Sequence, residues 1–383
     1  MTGYSLDMFG KMFADRQRHD AYERALRESI RPGDVVLDIG TGIGVYALLA
    51  AKLGARRVFA VEPNPFVELG PRLAATNGLA DRVEFIEAMS TQIDLPEPVD
   101  VVVADLRGVL PYHEHNFASL RDARRRFLKP GGIMMPTSDR IFAALATNAN
   151  GERQFRSVWI DNPFDLDLSE AMADQAHALR QDSVRPDDLR SEPFQISSVD
   201  YASSDEDNDF DHRAAVEITS PGTVHGFSVW FEATVLPGIT YATGPFSPPT
   251  VYGMAFLPFG EPREVEEGDT VSVRLSARQA DDDYVWTWGA FSGDDAGGAP
   301  DWEVEQTTFR STPIDVRRIM RRRANHRIGG SRALDADRTA LQMLSEGATL
   351  GETSDALVAD FGDVVADAPA ALTRVADLAE RYG

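Results

Sequence analysis

Residues 35–62 read VVLDIGTGIGVYALLAAKLGARRVFAVE, and this stretch decides the fold. Val35-Val36-Leu37 is a short apolar run of the kind that forms a buried parallel strand. Asp38 is read as the end of that strand. Gly40, Gly42 and Gly44 follow at alternate positions. Val45 to Leu53 is apolar nearly all round and is expected to be helical, with Gly54 placed to stop it. Arg57 to Val61 is a second strand with Glu62 at its tip. The stretch is therefore a βαβ unit with a glycine-rich first turn.

That arrangement has the chemistry of a nucleoside site. Glycines allow a sharp turn and a close backbone approach to a ligand. The following helix offers free N–H groups. An acid at the second strand tip accepts hydrogen bonds from ribose hydroxyls. The spacing is D-x-G-x-G-x-G rather than G-x-G-x-x-G, which favours S-adenosyl-L-methionine over a dinucleotide. A glycine-rich turn by itself is weak evidence; Asp38 before it and Glu62 after it strengthen the reading.

The flanking sequence extends the pattern. Phe13 to Ile30 is expected as a helix capped by Asp15, with Tyr22, Ala25, Leu26 and Ile30 on one face. A lone arginine on such a helix, Arg18, is usually a surface residue, so spacing alone gives it no role. Phe66 to Asn77 and Phe117 to Phe127 are helices, Arg82 to Glu87 and Val99 to Ala104 strands, and Lys129 to Gly132 a turn. Asp105 to Asn116 follows a strand's carboxyl end, the edge where open α/β sheets bind ligands. Asp105 and Glu114 bracket that loop. They are either a pair that clasps a planar cation or two unrelated surface acids. His113 and His115 flank Glu114, but no third metal ligand is evident, so no metal is expected, and a general-base role for one of the two is the better reading.

From about Ser138 strand-like runs dominate, clearest in the alternation of Phe227 to Val235. An antiparallel β domain is expected there. Leu168 to Gln181 is read as a helical insertion and Ser203 to Asp211 as a solvated acidic loop. Arg317 to Arg332 holds seven arginines, and residues after Asp335 show helical spacing punctuated by Gly347 and Gly362.

The totals narrow the function. The 383 residues are 43% hydrophobic and suffice for two or three domains. No apolar run is long enough to span a membrane, no signal-peptide core is evident, and there is no cysteine. A cytoplasmic protein is expected. The net charge of −23 argues against a nucleic-acid-binding surface. The arginine run is therefore expected to pair with the chain's own carboxylates.

These residues together resemble the protein arginine N-methyltransferases, in a divergent, bacterial-looking form, over residues 4 to 305. Met12 to Tyr22, MFADRQRHDAY, is similar to the family helix M-x-x-D-x-x-R-x-x-x-Y. The resemblance implies that Arg18 binds the cofactor's carboxylate and that Met12 lies near its sulfur. It implies that Asp38, Gly40, Gly42 and Gly44 form the family's first motif and that Glu62 binds the ribose. Met89 and Ser90 fall where the family lines the adenine. Asp105 to Glu114 resembles the family's double-glutamate hairpin, with Asp105 replacing the first glutamate and Arg107 an apolar residue. Thr250-Val251-Tyr252 stands where the family has a T-H-W loop; the histidine is missing.

The resemblance implies an α/β fold: a Rossmann-like methyltransferase domain, then an antiparallel β-barrel domain with a helical dimerisation arm, then a small C-terminal helical region. The expected boundaries are 1–30 for an N-terminal cap over the cofactor and 31–137 for the Rossmann-like domain. The barrel covers 138–310, with its arm at about 161–181. Residues 311–383 resemble a small winged-helix domain, or form a helical extension. The expected activity is S-adenosylmethionine-dependent methyl transfer to a guanidinium or other nitrogen, by Asp105 and Glu114, in a homodimer. The acceptor is a peptide, a protein or a small molecule. The alternatives are a biosynthetic methyltransferase acting on a small molecule or modified peptide, and a non-catalytic regulator holding nucleic acid with the arginine run.

Overall fold

The computed structural model describes residues 5–203, 208–280, 283–293, 300–311, 327 and 329–382. The chain divides into two compact units, residues 1–312 and 313–383.

The first unit begins with two helices where one was expected, α1 (Leu6–Ala14) and α2 (Arg16–Ser29). Asp15 separates them. Its carboxylate accepts the Arg18 backbone N–H, and a capped N-terminus here starts a new helix. α2 buries Arg18, Ala21, Tyr22, Ala25, Leu26 and Ser29, the stripe that 3.6-residue periodicity dictates.

A five-stranded parallel sheet follows, in the order β3-β2-β1-β4-β5. Its strands are β1 (Val35–Ile39), β2 (Arg57–Glu62), β3 (Val83–Glu87), β4 (Val99–Ala104) and β5 (Leu128–Met135). β1 is buried at every position, as its unbroken apolar run requires. It continues past Asp38 to Ile39, so Asp38 lies inside the strand rather than ending it. Lys129 to Gly132 is part of β5, not a turn; the pairing with β4 shifts register there, and this irregularity accommodates the glycines. The helices are α3 (Val45–Leu53), α4 (Leu69–Thr76) and α5 (Asn116–Arg126).

The chain then enters two antiparallel sheets. The strands that bear on the site are β6 (Ser138–Ala146), β10 (Gly222–Leu236), β11 (Ile239–Ala242), β12 (Met254–Val265) and β14 (Asp283–Ser292). With β7 (Arg180–Asp182), β8 (Phe194–Asp200), β9 (Phe210–Glu217), β13 (Thr270–Ala280) and β15 (Glu303–Thr307) beside them, the first sheet runs β7-β12-β10-β6-β8, with β11 on β10, and the second runs β15-β14-β13-β9. β10 pairs with β6, β11 and β12 and is the spine of its sheet. Its Phe227, Val229, Phe231, Ala233 and Val235 are fully buried in the core that also holds the parallel sheet. Ser228 and Trp230 face the other way and are buried too, because a second cluster with Ala144, Val184, Leu189, Met254 and Phe256 covers that face. The expected helical insertion starts and ends earlier than its pattern suggested. It comprises short helices Ala149–Phe155, Ser157–Ile160 and Ser169–Gln175, and it exposes Val158, Ile160, Phe164 and Leu166.

The second unit holds the helices Arg332–Ser345, Leu350–Asp360 and Ala368–Tyr382. They close on Ala336, Ala340, Leu357, Phe361, Val365, Ala371 and Val375. Among its described residues there is no strand, so the wing of a winged helix is not seen. The arginine run lies outside the described residues except for Arg327 and Arg332. Arg332 pairs with Asp363 at 2.9 Å and lies over the Phe361 ring. No helix among the described residues is long and apolar enough to cross a membrane.

Candidate active site

The glycine turn joins β1 to α3. Gly40, Gly42 and Gly44 have φ of +69°, +57° and +93°, a region closed to most side chains, which is why glycine recurs at alternate positions. The Gly40 N–H donates to the Val61 carbonyl at 2.8 Å and pins the turn to the end of β2. Phe9 of α1 covers the turn: a Cβ on Gly42 would stand 2.7 Å from its ring.

Two acids brace the turn. Asp38 is 2% exposed and accepts the Thr41 hydroxyl at 2.6 Å. Burial pushes its carboxyl up to about 7, against the hydrogen bonds from Thr41 and the Ala47 backbone. Glu62 accepts the Gly42 N–H on one oxygen and the Asn64 N–H on the other, each at 3.0 Å. Burial raises its pKa as well, with those two bonds opposing. Each oxygen keeps a lone pair for a further donor.

α2 and the loop after β4 supply the charged centre. Arg18 donates from Nη1 to Asp105 at 2.6 Å and from Nη2 to the Met12 carbonyl at 2.8 Å. Asp105 also accepts Arg107 Nη1 at 3.1 Å and the Tyr252 hydroxyl. Burial alone would raise the Asp105 pKa, but the two guanidiniums and the Tyr252 bond outweigh it and hold the carboxyl below its usual range. Arg107 is clamped from behind by Asp139 on β6, through Nε and Nη2 at 2.7 Å each. Its Nη1 also reaches the Tyr22 hydroxyl at 3.0 Å, and that hydroxyl donates to the Ala104 carbonyl. Tyr201 donates to Asp139 at 2.6 Å. The pair thus ties the parallel sheet's carboxyl edge to the barrel-like domain.

The expected site residues fall into two groups. Arg18, Asp38, Gly40, Gly42, Gly44, Glu62 and Asp105 gather around the glycine turn at the carboxyl edge of the parallel sheet. Met12 joins them through its carbonyl. Ser90 is buried with its hydroxyl unpartnered, and Met89 beside it is half-buried. Glu114 stands apart: it is exposed, at φ +39°, and its backbone N–H donates to Asp283 of β14 at 3.2 Å. It shares none of Asp105's partners. The loop closes instead by His113 packing on Gly108, where a Cβ would meet the imidazole at 2.8 Å.

Sequence reading missed Asp139 and Tyr46. Asp139 shares the inward phase of Ile141, Ala143 and Leu145, all buried, so a charge at that position was the available signal. Thr250 to Tyr252 does reach the site: the Val251 N–H donates to Asp15 at 2.8 Å and Tyr252 to Asp105.

Among the described residues, four buried polar atoms here lack a hydrogen-bond partner: Arg18 Nε and the Tyr46, Ser90 and Thr250 hydroxyls. With the Glu62 carboxylate, they are polar groups with hydrogen-bonding capacity left for a further partner. The parallel sheet, glycine turn and following β-barrel-like domain define an S-adenosylmethionine-dependent methyltransferase.

Comparison with known proteins gives the family. A model described as ribosomal protein L11 methyltransferase (PrmA) matches residues 22–135, and one described as arginine methyltransferase oligomerization subdomain matches residues 140–290. The arginine N(omega)-methyltransferase of Streptomyces achromogenes subsp. streptozoticus is 32% identical over 269 residues, covering 69% of this chain and 74% of that protein. Protein arginine N-methyltransferase 6 of Xenopus tropicalis is 26% identical over 286 residues, 71% of this chain and 83% of that one. The chain belongs to the arginine N-methyltransferase family, whose methyl donor is S-adenosylmethionine. The fold agrees. The structure of Arabidopsis thaliana protein arginine methyltransferase 10 superposes with a TM-score of 0.69 at 23% identity, covering 78% of this chain and 97% of that chain. That of the Trypanosoma brucei PRMT1 enzyme-prozyme heterotetrameric complex with AdoHcy gives 0.71 at 22% identity, covering 79% and 98%.

Proposed function

We propose that this chain transfers a methyl group to a guanidinium nitrogen, with Glu114 as the acid that receives the acceptor and Asp105 as a second, fixed negative charge at the other end of the same loop. One observation carries the reading: an ionised, buried Asp105 stands at the carboxyl edge of the parallel sheet, hydrogen-bonded to Arg18 of α2. Arg18 holds the donor's carboxylate, Glu62 its ribose, and Met89 and Ser90 its base. Met12 lines the same end. When bound, the donor supplies an electrophilic methyl on a sulfonium. The chain's own contribution is positional: it aligns the nitrogen and excludes water.

Asp105 is not free to clasp a guanidinium by itself. Arg107 occupies one of its oxygens and is locked in place by Asp139. Glu114 is the acid left open, so a guanidinium is bound chiefly there. Replacing Glu114 by Gln is expected to abolish turnover while S-adenosylhomocysteine still binds. Loss of binding as well would show that the loop is misassigned.

The saturation of Asp105 also favours a second reading, a small molecule or modified peptide as acceptor in a biosynthetic pathway. Methyl transfer onto free arginine, arginine peptides and simple amines separates the two. We further propose that the chain acts in the cytoplasm as a homodimer, through the insertion that exposes Val158, Ile160, Phe164 and Leu166. The family model described as an oligomerization subdomain supports this.

A further inference from the structure

Tyr46 has a role that the glycine turn does not explain. It is the second residue of α3, two positions after Gly44, so it stands in the first turn of the helix beside the glycine turn. Its ring stacks on Tyr22, with centroids 4.9 Å apart and planes 20° apart, and meets His19 edge-on at 5.4 Å. Only 9% of the residue is exposed. The ring is therefore fixed by packing from α2 on two sides.

Its hydroxyl is buried and has no hydrogen-bond partner. Tyr22, stacked against it, shows the contrast: that hydroxyl donates to the Ala104 carbonyl and accepts from Arg107. A phenylalanine would fill the space of Tyr46 equally well and leave no polar atom stranded. Burying an unsatisfied hydroxyl is unfavourable, so its presence points to a partner that arrives from outside. The charged groups acting on the phenol are Arg18 first, then Asp105 and, more weakly, Asp38; Tyr22 is the neighbouring phenol and His19 the adjoining imidazole. Burial keeps it a neutral O–H, hence a donor. A second orphan donor, Arg18 Nε, belongs to the same group of side chains.

We propose that the Tyr46 hydroxyl is a ligand-binding group that donates a hydrogen bond to the carboxylate at the amino-acid end of the methyl donor, beside Arg18. A carboxylate has two oxygens and takes two such donors at once. The inference rests on the methyltransferase reading and adds a residue to it. The acceptor's own carboxylate, in a free amino acid, is the competing source of the same chemistry.

The test is Tyr46→Phe in the full chain, which keeps the ring and removes one oxygen. Calorimetry with S-adenosylhomocysteine and with 5′-methylthioadenosine, which lacks the amino-acid tail, gives the readout. The variant is expected to bind S-adenosylhomocysteine about tenfold more weakly and methylthioadenosine as the wild type does. Three results overturn the inference: unchanged affinity for S-adenosylhomocysteine, equal loss for both ligands, or a change confined to the KM of a carboxylate-bearing acceptor. A wild-type chain that binds neither nucleoside would instead refute the cofactor assignment beneath it.

Discussion

Removing the Arg107 guanidinium strands a carboxylate inside the protein. Asp139 is 0% exposed and receives two N–H bonds of 2.7 Å from Arg107, with Tyr201 as the other side-chain donor among the described residues. In Arg107→Met the volume is roughly kept, but Asp139 loses its counter-ion and Asp105 loses one of two. Breaking a buried pair from one side costs about 3–5 kcal/mol, because the remaining charge is left uncompensated. Substituting Asp139→Asn in the same chain removes that charge at constant shape, so the double variant is expected to recover at least ~1 kcal/mol relative to Arg107→Met. All five tryptophans (159, 230, 286, 288 and 302) lie in the first unit. Their fluorescence in a urea titration therefore reports this unit and not the C-terminal helices. Glu28→Gln, which breaks an exposed pair with Arg24 on α2, serves as the control and is expected to be near silent. The reasoning fails if Arg107→Met costs less than ~1 kcal/mol, or if Asp139→Asn makes it worse.

Further outcomes follow from the pH behaviour of Asp38 and from the C-terminal unit. Asp38 is raised from an ordinary 3.8 to about 7, so the folded chain keeps a proton that the unfolded chain releases. Its contribution is fully present below the unfolded pKa and is lost as pH rises to about 7, a fall of about 4 kcal/mol. The stability difference between wild type and Asp38→Asn, measured by urea unfolding at pH 5 and pH 8, should shift by about 2–3 kcal/mol in favour of the variant at pH 8, the rest having been lost below pH 5; a constant difference would exclude a raised Asp38. Leu357 is fully buried at the centre of the three C-terminal helices. Leu357→Ala is expected to cost about 2–5 kcal/mol and to abolish hydrogen-exchange protection of peptides from 332–382, whereas retained protection would mean that Leu357 is not central to that core.

The parts of the fold written in local pattern were legible. α3 runs over Val45–Leu53 and β4 over Val99–Ala104, as the apolar runs dictate. The three glycines take the left-handed conformations that only their spacing announced. What escaped was non-local. β14 was not singled out, because Asp283 to Ser292 interleaves tryptophans with Thr287 and Gly289 and becomes a strand by pairing with β13 (Thr270–Ala280) and β15 (Glu303–Thr307). The Arg107–Asp139 pair joins residues 32 apart in sequence and across two domains, and no local period encodes it. Glu114 shows the limit of motif reading. Its spacing from Asp105 matches the hairpin of the family, yet its side chain lies at the surface, since the loop closes by His113 on Gly108.

The contact between Arg18 and Asp105 has a thermodynamic consequence. On the proposed assignment of Arg18 to the donor's carboxylate, one guanidinium would serve two carboxylates, Asp105 and the one that the donor brings. Attraction spent on the donor would be withdrawn from Asp105, which would then present more of its negative charge to a cation. Donor occupancy would thus strengthen acceptor affinity, and linkage would require the acceptor to strengthen donor affinity by the same factor. A single side chain on α2 would then couple the two substrates without any movement of the backbone.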